Sequence, residues 1–109
     1  MNWIPLTTEE QLAQLIEKSA TVPQVIFKHS TRCSTSVMVL NRLERSNIPE
    51  NIDFNFLDLL TYRNISNKVA ADLNVFHESP QILLIRNGKC VYDESHLGIS
   101  IDELAEQAS

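Results

Sequence analysis

Glycine is almost missing from this 109-residue chain, with two in all, and proline occurs only four times. That scarcity excludes collagen-like, low-complexity and linker-rich architectures and fits a compact chain without disordered tails. Cysteine is equally sparse: Cys33 and Cys90 stand 57 positions apart, which is no disulfide framework, and the three scattered histidines add no zinc-ligand spacing. No apolar run is long enough to span a bilayer, and the opening MNWIPLTTEE has neither the basic nor the apolar region of a signal peptide, so the reading is cytoplasmic with no membrane partner. Basic residues are few, 9 against 14 acidic for a net charge of -5, and nowhere dense enough for a nucleic-acid surface. What is present is 43% hydrophobic residues, enough for the core of one domain over residues 1–109.

The pattern alternates helices and strands. Thr7 with Glu10, or Thr8 with Gln11, gives a capping box ahead of Leu12, Leu15 and Ile16, so a helix is predicted from about Thr8 to Ser19. Val25 to Lys28 reads as a buried strand, and Ser34 to about Ser46 as a helix whose apolar start (Val37, Met38, Val39, Leu40) is buried and whose end is wet. A strand within IDFNFLDL follows, then an amphipathic helix from Tyr62 to Leu73. Pro80 opens the strand Ile82 to Ile85, Asn87-Gly88 signals a tight hairpin, and Lys89 to Tyr92 returns antiparallel. Ser100 and Glu103 cap a last helix. This is the thioredoxin-like order: an α/β fold with a central mixed sheet of four strands, room for a fifth at the N-terminus, and four flanking helices.

Chemistry concentrates in VIFKHSTRCSTSVMVLNRL, Val25 to Leu43. After the strand, Ser30 and Thr31 break the run, which puts Cys33 in the first turn of the next helix, where free N–H groups and the helix dipole favour a thiolate. From Lys18 to Leu43 there is no carboxylate, while Lys18, Lys28, Arg32 and Arg42 are all cationic, a positive island on an acidic chain. A lowered thiol pKa gains little in attack, because roughly thirtyfold more thiolate is offset by about tenfold lower nucleophilicity; its larger benefit is rapid departure from a mixed disulfide. Ser36 stands where a C-x-x-C enzyme has its second sulfur, so Cys33 cannot close a local disulfide and a redox role is a monothiol one.

In STRCSTS, HESPQILLI and NGK the chain resembles the YtxJ family of monothiol bacilliredoxins, also called bacilliredoxin C, over nearly its whole length. The resemblance implies a thioredoxin fold, Cys33 as active cysteine, Pro80 as the cis-proline, and thiol exchange that removes bacillithiol from protein cysteines. It also implies bacillithiol as a thiol co-substrate with no tightly bound cofactor, and bacillithiolated client proteins and a bacillithiol-disulfide reductase system as partners; the chain is expected to be a monomer. A cis bond would turn the Ser79 backbone toward the thiol to pair with an extended substrate segment. Where many thioredoxin-like proteins have proline after the nucleophile, this chain has Ser34.

Each candidate has a plainer alternative. Cys33 is read as reactive rather than as a small buried hydrophobe, and His29 as able to tune or deprotonate it or else simply to pack. Lys28 and Arg32 bind the malyl carboxylates of bacillithiol or are solvated charges, with Arg32 favoured; His77 lines the groove near Pro80 or is surface; His96 has no assigned role. Cys90 lies past the hairpin turn, roughly 20 Å from Pro80 at strand rise, and is read as a packed strand cysteine rather than a resolving one. Two other classes compete: a binding module that uses the Pro80 groove without chemistry, and an iron–sulfur carrier like the monothiol glutaredoxins, whose C-G-F-S motif Ser34-Thr35 does not match. Thiol peroxidase activity is a weaker third.

Overall fold

A computed structural model describes residues 2–109. The strands are β1 (Ile4–Pro5), β2 (Gln24–His29), β3 (Asp53–Asp58), β4 (Gln81–Arg86) and β5 (Lys89–Ser95); the helices are α1 (Glu9–Lys18), α2 (Ser34–Glu44), α3 (Arg63–Leu73) and α4 (Ile101–Ala108), with a short 3-10 turn at His96–Gly98. The sheet order is β1-β3-β2-β4-β5. β1 and β2 run parallel to β3, while β4 runs antiparallel to β2 and β5 to β4. The mixed sheet and four helices are those expected, and the fifth strand is β1, a two-residue edge paired through Ile4 with Asn55.

Strand alternation divides the core in two. Ile26, Leu57 and Leu83 point to the face covered by α1 and α3, where they meet Leu12, Leu15, Ile65 and Val69. Val25, Phe27, Phe54, Ile82 and Leu84 point to the other face and meet Val39 and Leu43 of α2 and Leu104 of α4. β2 is central, so all six of its residues are buried, its last two, Lys28 and His29, included.

Local signals set the ends of elements. Of the two capping boxes offered by the sequence, Thr8 with Gln11 forms. Ser100 accepts from the Glu103 N–H at 3.4 Å. Asn87 and Gly88 have φ of 53° and 76°, the pair of left-handed residues that a type I′ hairpin requires. α2 departs from expectation. Its start is not buried all round, since Val37 and Met38 are 40% and 54% exposed and only the stripe of Ser36, Val39 and Leu43 faces the sheet. A helix lying on one sheet face can bury only that stripe, whatever the composition of the rest.

Candidate active site

The register places the site. Lys28 pairs with Gln81 and His29 with Asp58, so the C-terminal ends of β2 and β3 and the start of β4 lie side by side. From that end of β2 the chain turns through Ser30–Arg32 into α2, and into that end of β4 it arrives through Ser79 and Pro80. The Ser79-Pro80 peptide is cis.

Cys33 is half-buried and in no disulfide. It is the N-cap of α2, with φ -109° and ψ 116°, rather than part of the first turn as expected; the helix proper begins at Ser34. Its N–H bonds the Ser30 carbonyl at 3.2 Å and its carbonyl accepts the Val37 N–H at 3.1 Å, so the residue is fixed by backbone on both sides. No acidic residue occupies the first turn of α2.

His29 and Ser36 lock this segment from beneath. The Ser36 hydroxyl accepts the Ser30 N–H at 3.0 Å and lies 2.7 Å from His29 Nδ1. The hydroxyl can donate to Nδ1 of a neutral imidazole that carries its own proton on Nε2. Burial lowers the pKa of His29, against an opposing pull from Asp58, and so favours that neutral form. The ring also packs on Phe27 and Phe56, at centroid separations of 6.0 and 5.5 Å. One residue pair thus joins the end of β2, the turn and the first turn of α2. The position of a second active-site thiol is filled by a buried, fully engaged hydroxyl.

The positive island does not survive folding. Lys18 pairs with Asp53 at 2.8 Å at the opposite end of β2, and Arg42 reaches the carbonyls of Leu97 and Ile99. Lys28, read as a carboxylate ligand or a solvated charge, is neither, because strand alternation turns it under α3, where it is 0% exposed. Its Nζ lies 3.3 Å from His77 Nδ1, and burial lowers its pKa to about 8. Among the described residues, Arg32 is the one of the four cations that is left beside Cys33 without a polar partner. It is exposed.

Pro80 is buried, and its carbonyl accepts the N–H of His96 at 3.0 Å. His96 sits at φ 56° and its ring contacts Glu78 at 3.1 Å, so the turn after β5 clasps the Pro80 loop from the far side. Sequence reasoning gave His96 no role, and nothing in HLG signalled one. Asp58 was missed too; its carboxylate accepts from the Leu60 N–H and the Thr61 hydroxyl and shapes the exit of β3 beside His29. The Ser79 hydroxyl is buried without a partner. Cys90 is where expected, opposite Ile85 while Gln81 pairs with Ser95, hence at the other end of the sheet. Its Sγ contacts the Tyr92 carbonyl at 3.4 Å, and burial, helped by Asp93, pushes its thiol pKa up.

The likeness to solved structures is extensive. One described as having a thioredoxin fold is 29% identical with a TM-score of 0.81, covering 97% of this chain and 93% of that one. Thioredoxin from Trypanosoma brucei brucei, 14% identical, superposes with a TM-score of 0.73 over 97% of this chain and 87% of its own; that from Fasciola hepatica, 22% identical, with 0.70 over 95% and 94%. These two show the fold alone. Among the described residues no helix is long and apolar enough to cross a membrane. A model of the monothiol bacilliredoxin BrxC family matches residues 4–104. With its thioredoxin fold and lone helix-capping cysteine, the chain belongs to the monothiol bacilliredoxin BrxC family, of thiol oxidoreductase type.

Proposed function

We propose that this protein removes bacillithiol from bacillithiolated proteins through a mixed disulfide on Cys33. The observation that carries the reading is the isolation of that thiol: Ser36 replaces a second sulfur and is locked to His29, and Cys90 lies at the other end of the sheet. An adduct on Cys33 therefore has no partner sulfur in its own chain and waits for an external thiol.

The Cys33 thiolate attacks the bacillithiol sulfur of the client. The client's disulfide breaks, its cysteine leaves as a thiolate, and a Cys33–bacillithiol disulfide forms. A second bacillithiol thiolate then attacks the bacillithiol sulfur of this adduct, releasing Cys33 and forming bacillithiol disulfide, which a reductase system returns to two thiols with two electrons. Arg32, exposed and next to Cys33 in the chain, attracts the carboxylates of the small thiol. Ser79, ahead of Pro80, offers its backbone to the client, and exposed apolar residues on bordering elements, Met38, Phe76 and Leu97, offer it surface.

Intact mass after mixing the reduced protein with a bacillithiolated model protein, beside a glutathionylated one, tests this. Cys33 gains one bacillithiol as the client is freed, and glutathione transfers poorly. A Cys33→Ser variant that still frees the client overturns the reading.

A further inference from the structure

Lys28 is buried at the active end of the sheet with no carboxylate within ion-pair distance among the described residues. A buried charge is ordinarily paired. Its one close polar partner is His77 Nδ1, at 3.3 Å, and His77 belongs to the loop that runs from α3 to Pro80. Three further contacts bear on that loop. Ser66 of α3 brings its hydroxyl within 3.4 Å of the same Nδ1, Gln81 donates its side-chain amide to the Phe76 carbonyl at 3.0 Å, and Glu78 is turned outward to His96. Phe76 itself is 94% exposed, so no apolar packing of its largest side chain holds the loop down.

We propose that Lys28 and His77 form a proton-sensitive catch that positions loop 74–79, and with it Ser79 and Pro80, engaged while His77 is neutral and released when Nδ1 takes up a proton. The neutral ring, protonated on Nε2, accepts from the Lys28 ammonium. Protonation removes that lone pair and sets two cations 3.3 Å apart, one of them buried where solvent screens least. The charged groups that face His77 are Lys28 from β2, Arg63 from α3 and Glu78 beside it. Burial and then Lys28 lower its pKa, Glu78 opposes them, and Arg63 adds to the lowering. Lys28 and His77 are positioning residues in this arrangement, since neither touches the reacting sulfurs. The catch is a property of the free protein; its bearing on catalysis rests on the reading of Cys33 given above.

The test is a pH titration of the free protein by NMR, following the His77 ring and the backbone amides of Phe76, His77 and Ser79. In the wild type, ring and loop amides move with one midpoint. In Lys28→Met, which keeps an apolar side chain of similar length in the core, the His77 midpoint moves up and the loop amides no longer follow it. In His77→Gln, whose amide oxygen can still accept from Lys28, the acid-induced loop shifts are lost. Loop amides that ignore the His77 titration, or a His77 midpoint unchanged in Lys28→Met, overturn the catch. With a bacillithiolated substrate, the rate of client release falls on the acid side in step with the His77 titration, and that limb is lost in His77→Gln. If the titration behaves as stated and no client is ever released, the functional reading fails and the catch stands; if clients are released and the loop ignores His77, the reverse holds.

Discussion

The two ends of β2 handle buried polarity in opposite ways. At the N-terminal end Gln24 donates to Asp53 at 2.9 Å, Asp53 pairs with Lys18 at 2.8 Å, and Asn55 donates to the Gln24 side-chain carbonyl at 3.2 Å and the Val25 carbonyl at 2.9 Å. Charge meets opposite charge. At the C-terminal end Lys28 has only a neutral imidazole, and the Ser79 hydroxyl and the Gln81 side-chain amide oxygen are buried without partners. Cys90 shares the first end and Cys33 the second. Apart from Trp3 Nε1, the buried side-chain groups without partners among the described residues lie at the Cys33 end, which is what a binding site leaves behind when stability is not the only requirement.

The contrast breaks most visibly at the cysteines. Replacing Cys33 by Ser abolishes client release, whereas Cys90→Ser leaves it intact, as read by intact mass. Alkylation of the native protein sharpens the difference: burial and Asp93 raise the Cys90 pKa, so it is modified more slowly than Cys33 until denaturant is added. Equal rates in the native state would mean that the two ends are equally open.

Next in size is Ser36→Ala. It strands the Ser30 N–H and the His29 nitrogen in a buried site and costs about 2–3 kcal/mol, seen as a lower urea midpoint at unchanged slope. Lys28→Met has the opposite sign. The folded-state pKa of about 8, against 10.5 for an ordinary lysine, means that the unfolded chain gains its proton first as pH falls. Stability from this group is full above 10.5, is lost between 10.5 and 8, and is flat below 8, a loss of up to about 3 kcal/mol. The variant escapes that loss but gives up the contact with His77, for a net gain of about 1–2 kcal/mol at pH 7 that shrinks by pH 9.5. A gain equal at both pH values would show that Lys28 is not desolvated.

This end was also the harder one to read from sequence. Element order, caps and hairpin were legible because each rests on neighbouring residues: Thr8 to Gln11, Ser100 to Glu103, Asn87 to Gly88. The placement of Cys33 and Pro80 at the same end of the sheet was legible because strand, turn and helix follow one another without a gap. Charge was misread for the same reason. Lys18, Lys28, Arg32 and Arg42 are close in sequence, but a strand carries its first and last residues to opposite ends of the sheet and sends Lys28 and His29 to opposite faces. Neither His77 against Lys28 nor His96 against Pro80 has a local pattern, since each contact is made through the fold rather than between near neighbours in sequence.

The smallest effect belongs to the paired end. Bonds from Lys18 and then Gln24 lower the Asp53 pKa, with burial opposing them, so its contribution is present above the ordinary carboxylate range and is lost as pH falls through the lower folded value. Lys18 is 56% exposed, which leaves solvent to screen the pair. Asp53→Asn therefore costs about 0.5–1 kcal/mol at pH 7, and the cost vanishes below the folded-state pKa, where the wild-type carboxyl is neutral too. Measured beside Lys28→Met, the two substitutions remove one buried or half-buried charge each from the same strand pair and change stability in opposite directions. If Asp53→Asn instead stabilised the protein, the pairing of Lys18, Asp53 and Gln24 would not offset their desolvation, and the asymmetry between the two ends would reduce to burial alone.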